Sequence, residues 1–190
     1  MRPDVKNGFP SMVPGDIAFV VRAMRFATIA HNGQMRRYTN DPYILHPMMV
    51  AARVAQRTMD PHVIAAAVLH DVIEDTPFTA MDIGVAFGER VTRMVVALTD
   101  VPSGTLSVTR HLLNRAARKA IDRDRIRYAG ADVQMIKAYD LMDNLISIKE
   151  HDPKFFKVFM KEKELLIEEF TELDPHVQLE LKGFMQEMAK

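Results

Sequence analysis

The run Val63–Leu69 (VIAAAVL) carries no polar side chain, and it ends in His70-Asp71, then Val72-Ile73, then Glu74-Asp75. A helix that is apolar on every side has to be packed on every side, so this run predicts the centre of a helical bundle. Four ionisable groups then stand at the end of a core segment. Burying any of them unpartnered costs on the order of several kcal/mol each. A helix-end cluster whose members satisfy one another explains any one of them taken singly. A shared binding centre explains them together, if other polar groups in apolar surroundings join them.

Helical periodicity covers the rest of the chain. Asp16 can cap a helix through IAFVVRAMRFATIAH, with Gly33 where a terminator belongs. Pro47 suits the first turn of a helix MMVAARVAQRTM, where its missing N–H costs nothing. Asp60-Pro61 opens HVIAAAVLHDVIED, Thr79 and Asp82 form a capping signal for AMDIGVAF, and Gly88 separates that from ERVTRMVVALTD. Val101–Val108 reads as a loop, a basic helix follows, and Gly130 precedes the apolar stretch ADVQMIKAYDLMDNLISIKE. Pro153 and Pro175 start two further helices. β-Branched residues nowhere alternate cleanly, so no strand is expected.

The expected fold class is all-α, a single helical bundle of roughly eight to ten helices. Residues 1–15 form an irregular arm and 16–190 the domain, with a motif-bearing core over 16–150 and C-terminal helices over 153–190. With 190 residues the chain fits one domain at roughly 150 residues each. The absence of cysteine excludes disulfides, a thiolate nucleophile and a sulfur-bound zinc site. Equal numbers of acidic and basic groups argue against a nucleic-acid binder. No apolar run reaches membrane-spanning length and the first residues do not resemble a signal peptide, so the expectation is a cytoplasmic protein with no membrane contact. Charge is nonetheless uneven: seven basic residues between Arg110 and Arg127 face only Asp122 and Asp124. From Glu150 to Lys190, ten acids face six lysines, which reads as solvated helix surface. Phe155, Phe156 and Phe159 form an apolar face that either closes the bundle or joins a second subunit as a homo-oligomer.

Two more polar groups do sit in apolar sequence: Asp140 in QMIKAYDLMDNL and His46 in YILHPMM. Two imidazoles and two carboxylates form a mixed nitrogen and oxygen donor set. That set suits manganese, iron or zinc, because calcium and magnesium prefer oxygen alone. Water on such an ion ionises far more readily than in bulk. Glu74 and Asp75, one turn beyond His70 and Asp71, would flank the open positions and orient that water or carry its proton.

In their order, His46, His70-Asp71 and Asp140 resemble the HD-domain metal-dependent phosphohydrolases. The strings AHNGQMRRYTNDPYILHP, AAVLHDVIEDTPFT, AFGERVTRMVVALTD and IKAYDLMDN are similar to successive motifs of the RelA/SpoT hydrolase domain, over about residues 16–150. No synthetase or regulatory region follows, which resembles the stand-alone small alarmone hydrolases. The resemblance implies manganese (or another divalent transition metal) on His46, His70, Asp71 and Asp140, with Glu74 and Asp75 assisting the attacking water. It implies Arg36 stacked on the purine beside Arg37, Asn144 on the ribose-phosphate side and Ser147 lining the base pocket. The reaction implied is hydrolysis of the 3′-diphosphate from guanosine tetra- or pentaphosphate, (p)ppGpp, giving GDP or GTP and pyrophosphate. The net-positive stretch Arg110–Arg127 lies between Thr99-Asp100 and Asp140, so its loop and helix would fold over the site and help neutralise phosphate charge.

Some positions depart from that pattern. Leu141 stands where a basic residue is usual, YTNDP is one residue longer than the usual turn, and FFKVFMKEKELL offers Lys157, Lys161 and Lys163 in place of arginine and tyrosine. Two alternatives therefore stay open: action on another nucleotide, such as (p)ppApp or NADPH, and a nucleotide-binding or toxin-neutralising module with little turnover. His31 either caps its helix or packs beneath the ligands, whereas His62, His111, His151 and His176 are expected at the surface. The fourteen methionines recur at helical spacing as core filler.

Overall fold

A computed structural model describes residues 12–100 and 114–190, and every regular element among them is a helix. In chain order these are α1 (Pro14–Ala30), α2 (Leu45–Val54), α3 (Pro61–Leu69), the single turn α4 (Val72–Asp75) and α5 (Ala80–Phe87). There follow α6 (Glu89–Leu98), α7 (Arg115–Arg127), α8 (Ala131–His151), α9 (Pro153–Ile167) and α10 (Pro175–Met188). The all-α reading holds. The loop expected at 101–108, together with Arg110 and His111, lies outside the described residues, as do residues 1–11.

Most helix starts follow local chemistry. The Asp60, Asp152 and Asp174 side chains each accept a backbone N–H of the first turn they precede, with proline next in sequence. Thr79 and Asp82 close a full capping box on α5. Gly88 and Gly130 sit at φ 81° and 87°, left-handed positions that favour glycine at the entries to α6 and α8.

Three boundaries differ from the sequence reading. First, α1 starts at Pro14, so Pro14 and Gly15 belong to the helix and Asp16 lies in its first turn instead of capping it. Second, α2 takes in His46 and Pro47 and stops at Val54, well before Met59. The chain must turn there, and Thr58 Oγ1 accepts the Asp60 N–H at 3.1 Å just ahead of the α3 cap. Third, the helix expected to run on to Asp75 breaks at His70-Asp71. The His70 ring donates from Nδ1 to the Ala67 carbonyl at 2.8 Å, an acceptor that a continuing helix would give to the Asp71 N–H.

Helix α3 is the spine: residues Val63 to Leu69 are all buried, and α1, α2 and α6 pack round it. Full burial of Val68 or Leu69 contributes about 1.5–3 kcal/mol apiece. Helix α8 is a second spine against α2, α6, α7, α9 and α10. Its fully buried Gln134 donates to the carbonyls of Ile126 (3.3 Å) and Arg127 (3.2 Å) and accepts the Glu172 N–H at 2.8 Å. One amide thus joins the end of α7 to the connection between α9 and α10. Phe156 and Phe159 pack on the core, while Val158 and Leu165 of α9 stay exposed.

Gln134→Ala leaves those three backbone groups without their partner, so it should cost about 1–3 kcal/mol of stability. Urea unfolding measures this, and a loss below about 0.5 kcal/mol would show that the groups find other partners.

Candidate metal centre

The crossing of α2, α3 and α8 brings polar atoms together inside the core. His46 comes from the first turn of α2, His70 from the end of α3, Asp71 from the break that follows, and Asp140 from the middle of α8. One donor atom each from His46, His70 and Asp140 fall within 4.8 Å of one another, and all three residues are buried. His46 Nε2 lies 3.2 Å from Asp140 Oδ1 and 3.4 Å from Asp71 Oδ2. His70 Nε2 lies 3.7 Å and 3.1 Å from the same two oxygens. Asp71 falls outside the mutual set of three and reaches the group through these contacts with both imidazoles.

The donor chemistry fits a transition-metal cation. Because the Ala67 carbonyl can only accept, neutral His70 carries its proton on Nδ1 and points the lone pair of Nε2 into the cluster, where that buried atom has no hydrogen-bond partner. Each carboxylate is also held from behind. Asp71 Oδ2 accepts the Tyr43 hydroxyl at 2.6 Å, Asp140 Oδ1 accepts the Asn144 amide at 2.6 Å, and Asp140 Oδ2 pairs with Lys137 at 2.8 Å. His46, His70 and Asp140 could therefore hold a divalent ion, with Asp71 adjoining.

The electrostatics match. Burial by itself would lower the His46 pKa, but hydrogen bonds to Asp140, Asp143 and Asp71 outweigh it and raise it to about 11. Burial likewise lowers that of His70, and Asp71 and Asp140 overcome it, to about 9. Burial works against ionisation of Asp71 and Asp140, yet His70 and His46 hold Asp71, and Lys137 with both histidines holds Asp140, well below the usual carboxylate range. So much buried negative charge must be balanced, by protons on the imidazoles or by a cation.

Glu74 and Asp75 stand on the single turn α4 at the rim. Although Glu74 keeps an edge open to solvent, its carboxylate accepts the Asp100 N–H at 2.7 Å. Withdrawal from water, with the charges of Asp100 and Asp71, raises its pKa to about 7. Withdrawal from water and Asp71 raise that of Asp75 too.

The other expected site residues are distributed unevenly. The Arg36 guanidinium reaches the cluster but lies on Asp143, with Nη1 2.9 Å from Oδ2. Arg37 is exposed and covers the Tyr38 ring at 5.3 Å. The Asn144 amide is engaged on Asp140, and half-buried Ser147 lies one turn further along α8. On α7, Lys119 and Arg125 pair with Asp100 at 2.6 and 3.2 Å, and Arg115 pairs with Glu162, so much of this basic charge meets neighbouring acids. Lys157 and Lys161 are exposed. Burial and repulsion from Lys137 and Lys119 lower the Lys163 pKa to about 8. His31 fills both roles open to it: it stands at the C-cap of α1 with its N–H on the Ala27 carbonyl at 2.9 Å, and its buried ring meets Tyr43 at 4.9 Å while Nδ1 bonds Gln34 at 2.7 Å. His151 and His176 are exposed, and His62 is half-exposed against Phe19.

Tyr43, Lys137 and Asp143 escaped the sequence reading. Lys137 and Asp143 stand three residues before and three after Asp140, on its helix face, which is the signal that could have found them.

An all-α bundle with a buried His/His/Asp cluster at a helix break is the architecture of an HD domain. The HD-domain family matches residues 23–165, and the chain belongs to that family. Among curated relatives, a probable guanosine-3′,5′-bis(diphosphate) 3′-pyrophosphohydrolase of Mycoplasma pneumoniae is 29% identical over 154 residues, covering 78% of this chain and 21% of the relative. The corresponding pyrophosphohydrolase of Aquifex aeolicus is 44% identical over 82 residues, 43% of this chain and 12% of the relative. A GTP pyrophosphokinase of Brucella ovis is 30% identical over 177 residues, 91% of this chain and 21% of the relative. The chain thus spans about a fifth of these relatives' length or less, and the resemblance to the RelA/SpoT hydrolase domain holds across them. A solved metazoan ortholog of SpoT, described as hydrolysing ppGpp, superposes with a TM-score of 0.76 at 22% identity, covering 95% of this chain and 98% of that one. At such identity the likeness establishes the fold.

The raised imidazole pKa values give the sign of a pH effect. Hydrogen bonds and charges from the surrounding aspartates raise His46 to about 11 and His70 to about 9, so both carry protons at neutral pH that must be lost for the imidazoles to coordinate a cation. Uptake of a divalent ion should therefore release protons, and apparent affinity should rise from pH 6 to 8. Calorimetry in buffers of different ionisation enthalpy reads the release; uptake without it would mean that the imidazoles are not ligands.

Proposed function

We propose that the chain is a cytoplasmic HD-type hydrolase that removes the 3′-diphosphate of (p)ppGpp, releasing pyrophosphate and GDP or GTP, with manganese on His46, His70, Asp71 and Asp140. The observation that carries this reading is the buried convergence of His46, His70 and Asp140, both imidazole Nε2 atoms turned on the Asp71 and Asp140 carboxylates, in a domain whose relatives include named guanosine-3′,5′-bis(diphosphate) 3′-pyrophosphohydrolases.

When bound, the cation supplies Lewis acidity and makes water a nucleophile near neutral pH. The chain's own groups do the rest. Glu74, its pKa near 7 and its carboxylate steadied by the Asp100 N–H, takes a proton from the attacking water, and Asp75 beside it shares that proton traffic. The bond between phosphorus and the ribose 3′-oxygen breaks as the water oxygen attaches to phosphorus, and the proton held by the Glu74–Asp75 pair passes to the departing oxygen, leaving a 3′-hydroxyl on the nucleotide and free pyrophosphate. Asn144 and Lys137 fix Asp140, and the Tyr43 hydroxyl fixes Asp71. Arg36 donates to Asp143 through one edge, which leaves the flat face of its guanidinium to stack on the purine. Arg37 and Ser147 complete the nucleotide contacts.

A second reading, another nucleotide substrate such as (p)ppApp or NADPH, draws on α9, which presents Lys157 and Lys161 where the resemblance to the RelA/SpoT hydrolase domain leads one to expect arginine and tyrosine.

Incubation with Mn²⁺ and a panel of 3′- and 5′-phosphorylated purine nucleotides tests the assignment. Pyrophosphate from guanosine 3′-diphosphates is expected. Orthophosphate from NADPH would move the assignment to the second reading, and tight binding without turnover would make the chain a binding module. Glu74→Gln should keep metal uptake, lose about 10²–10⁴-fold in kcat and lose the rise of activity with pH below about 7. Unchanged turnover would remove Glu74 from the mechanism.

A further inference from the structure

We infer that Asp143 is a positioning residue for His46, with Arg36 as its counter-charge, so that the loop carrying Arg36 is coupled to the metal centre. This rests on the metal-centre reading above. His46 and Asp143 are 2% and 8% exposed, and His46 Nδ1 lies 2.7 Å from Asp143 Oδ2. An ionised carboxylate can only accept, so Nδ1 carries a proton, and once Nε2 gives up its own proton to a cation its lone pair faces the space shared with Asp71 and Asp140. His70 reaches the same tautomer through a different acceptor, the Ala67 carbonyl at 2.8 Å. A carboxylate partner does more than a carbonyl, because its charge raises the basicity of the coordinating nitrogen.

That device places a third carboxylate beside Asp71 and Asp140 inside the core. Arg36 meets the difficulty: its Nη1 donates to the oxygen that also accepts from His46, at 2.9 Å, from 107 residues away in the chain. Its own loop is closed by the Arg36 N–H on the Asp41 carbonyl at 2.8 Å and by a bridge between Met35 and Pro42. One helix face thus supplies both a ligand, Asp140, and the group that orients another ligand, Asp143 three residues on.

The test is Mn²⁺ titration of the whole chain by calorimetry, without nucleotide. Asp143→Asn and Asp143→Leu should weaken metal binding by about 10–100-fold while the helical circular dichroism is retained. Arg36→Ala should shift affinity in the wild-type background and leave it unchanged in the Asp143→Asn background. Equal shifts in both backgrounds would overturn the role given to Arg36. If the Asp143 variants do not fold, ¹⁵N spectra of the imidazoles in the Zn²⁺-loaded wild type decide: Nδ1–H on His46 is expected, and Nε2–H overturns the proposal. A wild type that takes up no divalent cation refutes the metal-centre reading, and this inference with it. A wild type that binds metal, with folded Asp143 variants binding it equally well, refutes this inference alone.

Discussion

Buried negative charge at the crossing of α2, α3 and α8 is the constraint round which the molecule is arranged. Asp71, Asp140 and Asp143 lie together in a domain whose surrounding residues are largely apolar. Ionised carboxylates in such a place need cations close by, and the chain provides His46, His70, Lys137 and Arg36. Burial should push Lys137 towards neutrality, yet Asp140 and Asp100 hold it more firmly protonated than a free lysine. The fold supplies the rigidity that this cluster requires. Helix α3, packed on all sides, fixes where His70 ends up, and α8, packed along most of its length, fixes Asp140 and Asp143 three residues apart.

The helix break at His70-Asp71 shows how local and tertiary demands meet. Inside an uninterrupted helix, neighbouring residues point about 100° apart and would diverge from a common centre. Giving the Ala67 carbonyl to the His70 ring ends the helix and lets Asp71 swing to within 3.1 Å of His70 Nε2. The single turn α4 then points Glu74 and Asp75 outward to the rim, where water is at hand. One side-chain bond thus separates His70-Asp71, turned into the cluster, from the solvent-facing acid pair.

This also explains which parts of the structure were legible in the sequence. Helix starts marked by Asp-Pro or by Thr79 with Asp82 were readable, because those residues satisfy backbone groups locally and need no partner from elsewhere. The ends of α2 and α3 were not. The hydrophobic pattern records neither the turn in which the Val54 carbonyl accepts the Arg57 and Thr58 N–H groups nor the bond from the His70 ring to the Ala67 carbonyl, and the apolar run continues past the latter. At the site, His46, His70, Asp71 and Asp140 stood out as polar groups in apolar surroundings. Asp143 did not, because Asp next to Asn on a helix resembles a solvated face until the helix is known to be buried on that side. Tyr43 resembles ordinary core filling until its hydroxyl is found 2.6 Å from Asp71.

The basic helix α7 was expected to serve phosphate directly, and its contacts suggest an indirect role as well. Lys119 and Arg125 hold the Asp100 carboxylate, at 2.6 and 3.2 Å, and the backbone N–H of that residue holds Glu74 at 2.7 Å. Asp100 is kept ionised, at about 2, because Lys137 and Lys119 overcome the effect of its burial. Its negative charge, in turn, helps raise the pKa of Glu74 towards neutrality. Helix α7 thereby joins Lys137 in holding an anion whose field adds to burial, the larger cause, in raising the pKa of Glu74 to about 7. Part of the charge asymmetry visible in the sequence, Lys119 and Arg125, is thus met by Asp100 just beyond the end of α6.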